Sequence, residues 1–400
     1  MLLADRIRRI NDSRTVAVAQ TVLRLQHRGV DILSLATGEP DFPTPSHIKD
    51  AAVQAIAADR TKYTEVTGIP ELREAIVSKL ARDNDLHCSV EEVAVTCGGK
   101  HAIMCAILAL CQKGDEVIIP VPYWMSYEQQ VRLADAVPVF IDTVPENNFM
   151  LQPEQLRGKI TPQTKLLILN NPCNPTGTVY DYVTLAAIAD IVKKTGIYVL
   201  VDEVYEKIVF DGKSHISLAS FSEIRDQVIT VNGVSKTYSM TGWRIGFVAA
   251  CKEIIAAIAK IQSHSTSNPT TVAQWAAVAA LTESQECVNR MVEAFEQRRN
   301  AMFSRLTKIP GVQCEKPAGT FYVFPRMDFF YGSNYNDWVI EDSTSLCQFL
   351  LEEEQVALVP GSAFGTDAHV RFSFATSMET IHKALDRIER GLTKLQSTMG

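Results

Sequence analysis

The sequence lacks the patterns that would tie it to metals, nucleotides, nucleic acids or membranes. Its eight histidines form no H-E-x-x-H or other close ligand pair, which argues against a metal enzyme. Nine cysteines, at 88, 97, 105, 111, 173, 251, 287, 314 and 347, are odd in number and never fall as C-x-x-C. Reduced thiols in a cytoplasmic compartment are therefore expected, not a disulfide frame. There is no G-x-G-x-x-G and no G-x-x-x-x-G-K-[ST], so the dinucleotide and P-loop readings lack their motifs. No apolar run approaches the length of a membrane span, and "MLLADRIRRIND" has no signal-peptide core. The net charge of −7 is spread without like-charge blocks, so neither nucleic acid nor an anionic membrane is an expected partner. Small molecules are.

What is present is a chain of 400 residues with an ordinary 46% of apolar side chains, enough for a large domain and a smaller one. Between about 90 and 250, short β-branched runs alternate with helical stretches: "VAVTC", "EVIIPV", "VPVFI", "KLLILNN", "IYVLVDE", "QVITVN" and "WRIGFVAA". Unbroken apolar strands separated by helices predict an α/β fold, a mostly parallel seven-stranded sheet covered on both faces. From Glu283 to Leu306 the pattern becomes one long amphipathic helix, a bridge out of the main domain. Beyond it come "GTFYVFP", a polar stretch at 328–343, "HVRFSFA" and a closing helix from about Met378. The expected division is a large domain over 46–285 and a smaller α/β domain built from 1–45 and 286–400.

Ligands of open parallel sheets collect at the carboxyl ends of the strands. There the sequence sets Gly98-Gly99-Lys100 at a helix start, Asn174 in "NPCNPTG", Asp202 with Tyr205 in "DEVY", and Ser235 with Lys236. Arg244 follows Lys236 by eight residues. A lysine between two core strands needs a reason. The glycine pair can cradle an anion, although alone it reads equally well as a tight strand-to-helix turn. Lysine, buried carboxylate and phosphate cradle together suit pyridoxal phosphate: an amine for its aldehyde, an acid for its ring nitrogen, and N–H groups for its phosphate.

These runs also carry a family resemblance. "SKTYSMTGWRIG", "NNPCNPTG", "DEVY", "GEPDF" and "TKYTEVTGIPELREAI" resemble, in order, the signature runs of class I aminotransferases among the fold-type I pyridoxal-phosphate enzymes. The resemblance extends from about Ser13 to the C-terminal helix. It implies that Lys236 is the Schiff-base lysine and the carrier of the proton from the substrate Cα. It implies that Asp202 pairs with the pyridine nitrogen and that Tyr205 and Asn174 hydrogen-bond the ring oxygen. Ser235, Arg244 and the backbone at Gly99 and Lys100 would bind the phosphate. Trp124 would stack on the ring, Trp124 and Asn174 facing substrate as well. Arg371 would grip the substrate α-carboxylate as a fork, with the backbone of Gly38 close by. Tyr63 would reach the phosphate of a neighbouring subunit, which implies a homodimer with shared sites. By composition alone, Arg371 reads as a strand-edge residue, Trp124 as core and Tyr63 as a surface phenol.

Within the family, "QSHSTSNP" has Gln262, Ser263 and His264 where the dicarboxylate branch of animals and enteric bacteria carries an arginine. The chain resembles most the bacterial-type subgroup of aspartate aminotransferases, in which a lysine matching Lys100 and a threonine matching Thr15 recognise the distal carboxylate. A lysine merely opening a helix is the competing reading for Lys100. Members that use prephenate have a basic residue where this chain has Asn11, which speaks against that substrate. The expected reaction is transfer of the amino group of L-aspartate to 2-oxoglutarate by a ping-pong route. An aromatic, kynurenine or prephenate aminotransferase is the alternative, then a carbon–sulfur lyase on the same fold. A catalytically silent regulatory domain would have no need of Lys236.

Overall fold

The structure, a computed structural model, describes residues 3–12 and 14–397, the side chains of 14–16 excepted. Its seven apolar runs form one sheet: β1 (Val93–Thr96), β2 (Glu116–Val121), β3 (Val137–Asp142), β4 (Thr164–Asn170), β5 (Tyr198–Asp202), β6 (Val228–Gly233) and β7 (Gly246–Ala249). The spatial order is β1-β7-β6-β5-β4-β2-β3. Every neighbouring pair is parallel except those of β7, which runs antiparallel to both β1 and β6. The expected mostly parallel sheet of seven strands is thus the central element.

Both faces of the sheet are covered, which is why the strands lack an alternating polar pattern. On one side pack Ile48, Leu72, Ile76 and Ile188, from helices Ser46–Ala57, Pro70–Asn84 and Tyr182–Thr195, together with helix Thr271–Thr282. On the other pack helices Gly99–Leu110, Ser126–Leu133 and Lys252–Ser263. Local chemistry sets several of the ends. Asp181 caps helix Tyr182–Thr195 by accepting from the Thr184 N–H at 2.7 Å, and Gly196 closes it in the left-handed conformation.

A second core gathers Met291, Phe295, Met302 and Leu306 of the long helix Glu286–Leu306 around an antiparallel sheet of Val359–Pro360, Val370–Ser373 and Tyr322–Val323. Helices Ser343–Glu354 and Met378–Gln396 complete it. Strand Leu33–Ser34 joins this region by parallel pairing with Val356–Ala357. The polar stretch 328–343 contains a single-turn helix at Asp328–Phe330 and a hairpin of Asn334–Tyr335 with Trp338–Val339, elements too short to imprint a period. Among the described residues, no helix is long and apolar enough to cross a membrane.

Candidate active site

The carboxyl ends of β4, β5 and β6 bring most of the expected residues together. In-register pairing sets Asn170 beside Asp202. The Asn170 amide donates to the Asp202 carbonyl at 2.8 Å, and its oxygen accepts from the Asn174 N–H at 2.7 Å, so one side chain fixes the turn that carries Asn174. Asp202 is buried. Its Oδ2 accepts from the Tyr127 hydroxyl at 2.8 Å and its Oδ1 from the Val204 N–H at 3.3 Å. Burial raises its pKa to about 6, against the pull of the Tyr127 bond, and no cation touches it among the described residues. Tyr205 is buried too, its hydroxyl 3.1 Å from that of Tyr322.

After β6 the chain turns through Ser235, buried, to Lys236, half-buried. The Lys236 ammonium donates to the Gly38 carbonyl at 2.5 Å. Burial lowers its pKa to about 8. Glu39 and Asp202 oppose that fall, while Arg371 and Arg244 deepen it. Arg371 is 2% exposed, not a strand-edge residue. Its Nη1 donates to Asn174 Oδ1 at 3.1 Å and its Nη2 to the Ala36 carbonyl at 2.9 Å, while Nε is buried without a partner. The guanidinium lies 4.3 Å from the Tyr322 ring centre and 5.0 Å from that of Phe364.

The glycine pair opens helix Gly99–Leu110. Gly98 has φ of +88°, and a Cβ there would lie 2.4 Å from Arg244 Nη2. A Cβ on Gly246 would lie 2.4 Å from the Gly99 nitrogen, so β7 passes directly against the turn. These absences of side chains leave the first N–H groups of the helix, which have no intrahelical acceptor, beside an arginine fork. Arg244 is oriented by bonds from Nη1 to the Thr241 carbonyl at 2.8 Å and from Nη2 to that of Cys97 at 3.4 Å. The Lys100 ammonium lies 4.9 Å from the centre of the Trp124 ring, which packs edge-on against Tyr127 at 5.4 Å. Beside the cradle opens a cavity of about 540 Å³ whose lining includes Asn11, Cys97, Lys100, Gln129 and Arg244.

One expected residue is not brought into this group, and a second cannot be placed in it or out of it. Tyr63 is 90% exposed on the surface of the single chain, and the Thr15 side chain lies outside the described residues. Three unnamed ones are. Tyr127 falls three residues after Trp124, in the turn that opens helix Ser126–Leu133, but its partner Asp202 lies 75 positions away. Asn170 ends β4, where the strand-end rule points, whereas Tyr322 in "GTFYVFP" carries no signal because it reaches the site only by tertiary pairing.

The arrangement matches the three ends of pyridoxal phosphate. A buried carboxylate without a cation suits a protonated ring nitrogen, a lysine of lowered pKa suits an aldehyde, and the glycine-opened helix start with Arg244 suits a phosphate. A sequence profile of the family Aminotransferase class I and II matches residues 30–388. The aspartate aminotransferase of Geobacillus stearothermophilus is 46% identical over 391 residues, covering 98% of each chain. Among solved structures, the aspartate aminotransferase of Rhizobium meliloti superposes with a TM-score of 0.95 at 38% identity, covering 99% of this chain and 100% of that one. That of Thermus thermophilus with maleate gives 0.93 at 41% identity, covering 98% and 100%. With a profile spanning most of the sequence and relatives aligned end to end, the chain belongs to the class I and II aminotransferases, pyridoxal-phosphate enzymes of fold type I.

Proposed function

We propose that the protein is an aspartate aminotransferase that passes the amino group of L-aspartate to 2-oxoglutarate, yielding oxaloacetate and L-glutamate in two half-reactions. Bound pyridoxal phosphate supplies the sink for the electron pair left at the substrate Cα. The remaining work falls to side chains. Lys236 would hold the cofactor through Nζ and, when free, would take the substrate Cα proton at Nζ and pass it on to the cofactor carbon. Asp202 keeps the ring nitrogen protonated, a role supported by its burial and by its bond from Tyr127. Tyr205 and Asn174 orient the ring oxygen, Trp124 faces the ring, and Ser235, Arg244 and the Gly99 and Lys100 N–H groups take the phosphate. Arg371 grips the α-carboxylate next to Gly38. Its unpartnered Nε supports this, since a carboxylate would satisfy it.

The dicarboxylate reading rests on a second cation: Lys100, held over Trp124, is available to the distal carboxylate, with Thr15 assisting. The Thermus protein solved with maleate, a dicarboxylate, supports the same class. Charge-assisted hydrogen bonds are worth about 1.5–3 kcal/mol, so Lys100→Ser should lower kcat/KM for aspartate by about one to two orders of magnitude. Phenylalanine, with no charge there, should be nearly unaffected. An unchanged aspartate-to-phenylalanine ratio would make Lys100 structural. The exposure of Tyr63, and of Lys100 and Arg244 at the cavity, supports a homodimer in which each subunit's Tyr63 completes the other's phosphate site. The two cores support a division into a large domain over 46–285 and a small one over 1–45 and 286–400. Nine free thiols fit a cytoplasmic setting.

A further inference from the structure

"GEPDF" supplies Gly38 to the site, but its glutamate has so far no part. Glu39 belongs to a strap, residues 35–42, that crosses the site and is tied down at each step. The Leu35 carbonyl accepts from the Ser373 N–H at 2.7 Å, and the Ala36 carbonyl from Arg371. The Gly38 carbonyl accepts from Lys236. Glu39 Oε2 accepts from the Thr241 hydroxyl at 2.6 Å, five residues beyond Lys236 on the same loop. Asp41 then forks onto Arg298 at 2.7 and 3.0 Å, and Phe42 packs edge-on against Phe295. Two strap carbonyls thus hold Lys236 and Arg371, and the Glu39–Thr241 bond ties the residue next to Gly38 to the lysine's own loop.

Among the described residues, the charges that act most on Lys236 are Arg371 and Arg244, both repelling, and Glu39 and Asp202, both attracting. Asp202 is committed to the ring nitrogen when cofactor is bound. That leaves one carboxylate as the standing counter-charge to an ammonium that must form each time the lysine takes a proton. We propose that Glu39 is a positioning residue for Lys236: its bond to Thr241 fixes the Gly38 carbonyl where the lysine nitrogen rests between proton transfers, and its charge favours the protonated nitrogen there. This rests on the reading of Lys236 as proton carrier. No bond is made or broken in the strap itself. The proton taken from Cα stays on Nζ until it is delivered.

Three variants separate charge from tether. Glu39→Gln keeps the shape and an acceptor for Thr241 but removes the charge. Thr241→Val keeps the charge and breaks the tie, and Glu39→Asp restores charge on a shorter arm. In cofactor-free protein, the pH dependence of Lys236 labelling by an amine-directed reagent, read by mass spectrometry, should show a midpoint shifted down by about half a unit or more in Glu39→Gln, with partial return in Glu39→Asp. In loaded enzyme the half-reaction with aspartate should slow about 5- to 50-fold in Glu39→Gln, with a larger isotope effect for α-deuterated aspartate. Thr241→Val should lower kcat about 3- to 10-fold with KM unchanged. An unmoved labelling midpoint together with wild-type half-reaction rates in Glu39→Gln would overturn the proposal. Should that variant fail to fold, an unchanged kcat in Thr241→Val overturns it instead. Failure of the underlying reading looks different: pyridoxal phosphate would then not protect Lys236 from the label in the wild-type protein.

Discussion

Asp202 and Glu206 are both buried carboxylates, four residues apart on the same strand-end segment, yet they meet opposite fates. Asp202 faces the site, touches no cation among the described residues, and is pushed up to a pKa of about 6. Glu206 faces away with Glu203. Burial alone would raise its pKa, but the Lys79 ammonium paired with it, together with His215 and Asn84, holds it below the usual range. The rear network extends further: Lys79 also donates to Asn84 at 2.5 Å, Ser217 donates to Glu203 at 2.7 Å, and His215 lies 3.2 Å from Glu203. Glu203, Glu206 and His215 could converge on a metal ion, but a lysine already supplies positive charge there. A buried acid with its counter-ion belongs to the framework. One left unpaired marks where a ligand is to come.

The comparison can be broken from either side. The largest expected effect is on the site side. Lys236→Ala should reduce transamination at least about 10⁴-fold while leaving the unfolding temperature of the cofactor-free protein within a degree or two, because removing this half-buried amine strands no ion-pair partner. Near wild-type turnover would remove the lysine from the chemistry. On the rear side, Glu206→Gln should destabilise the fold by about 3–5 kcal/mol, since it leaves the Lys79 charge buried beside a neutral amide. Chemical denaturation would check this, and a loss under about 1 kcal/mol would show that the network is not an ion-paired core.

Asp202→Asn should act the other way. A folded-state pKa raised from the usual 3.8 to about 6 means that the folded protein binds the extra proton between those values, so stability is fullest below pH 4 and is lost as pH rises through 6. The loss amounts to about 3 kcal/mol. In the cofactor-free variant at pH 8 that amount should return, even as the half-reaction slows. A less stable variant would mean that the carboxylate is paired after all. The smallest effect is expected for Arg371→Lys, which keeps a charge but loses the planar fork. It should lower kcat/KM by about 1.5–3 kcal/mol, the worth of one charge-assisted hydrogen bond. An unaffected value would move the α-carboxylate site elsewhere.

The framework was readable where one residue type had one explanation. The β-branched runs fixed all seven strands of the sheet, and the strand-end rule singled out Asp202 and Lys236 before any contact was known. Burial of Arg371 was not readable, because a single arginine on a four-residue strand has no period to betray which way it faces. Tyr127 and Tyr322 were missed for a related reason: their bonds join residues 75 and 117 positions apart. Helix Pro70–Asn84 carries charged residues along its length, and only the tertiary pairing of Lys79 with Glu206 makes that lysine a core residue. Helix Ser343–Glu354 escaped because its cap, Asp342 accepting from the Ser345 N–H at 2.7 Å, ends a polar stretch without rhythm.

The bond from Arg371 to the Ala36 carbonyl spans 335 positions of chain, and this has a consequence for the order in which the protein acquires its abilities. Translation proceeds from the amino terminus, and domains fold as they emerge. When Ala250 has been added, the nascent chain already contains the glycine cradle, Asn174, Asp202, Lys236 and Arg244. The fork proposed to select amino acids by their carboxylate is more than a hundred residues from being made. Until then the carbonyl of Ala36 waits without its arginine. In a growing polypeptide the residues proposed to hold the cofactor are therefore made before the one proposed to choose the substrate.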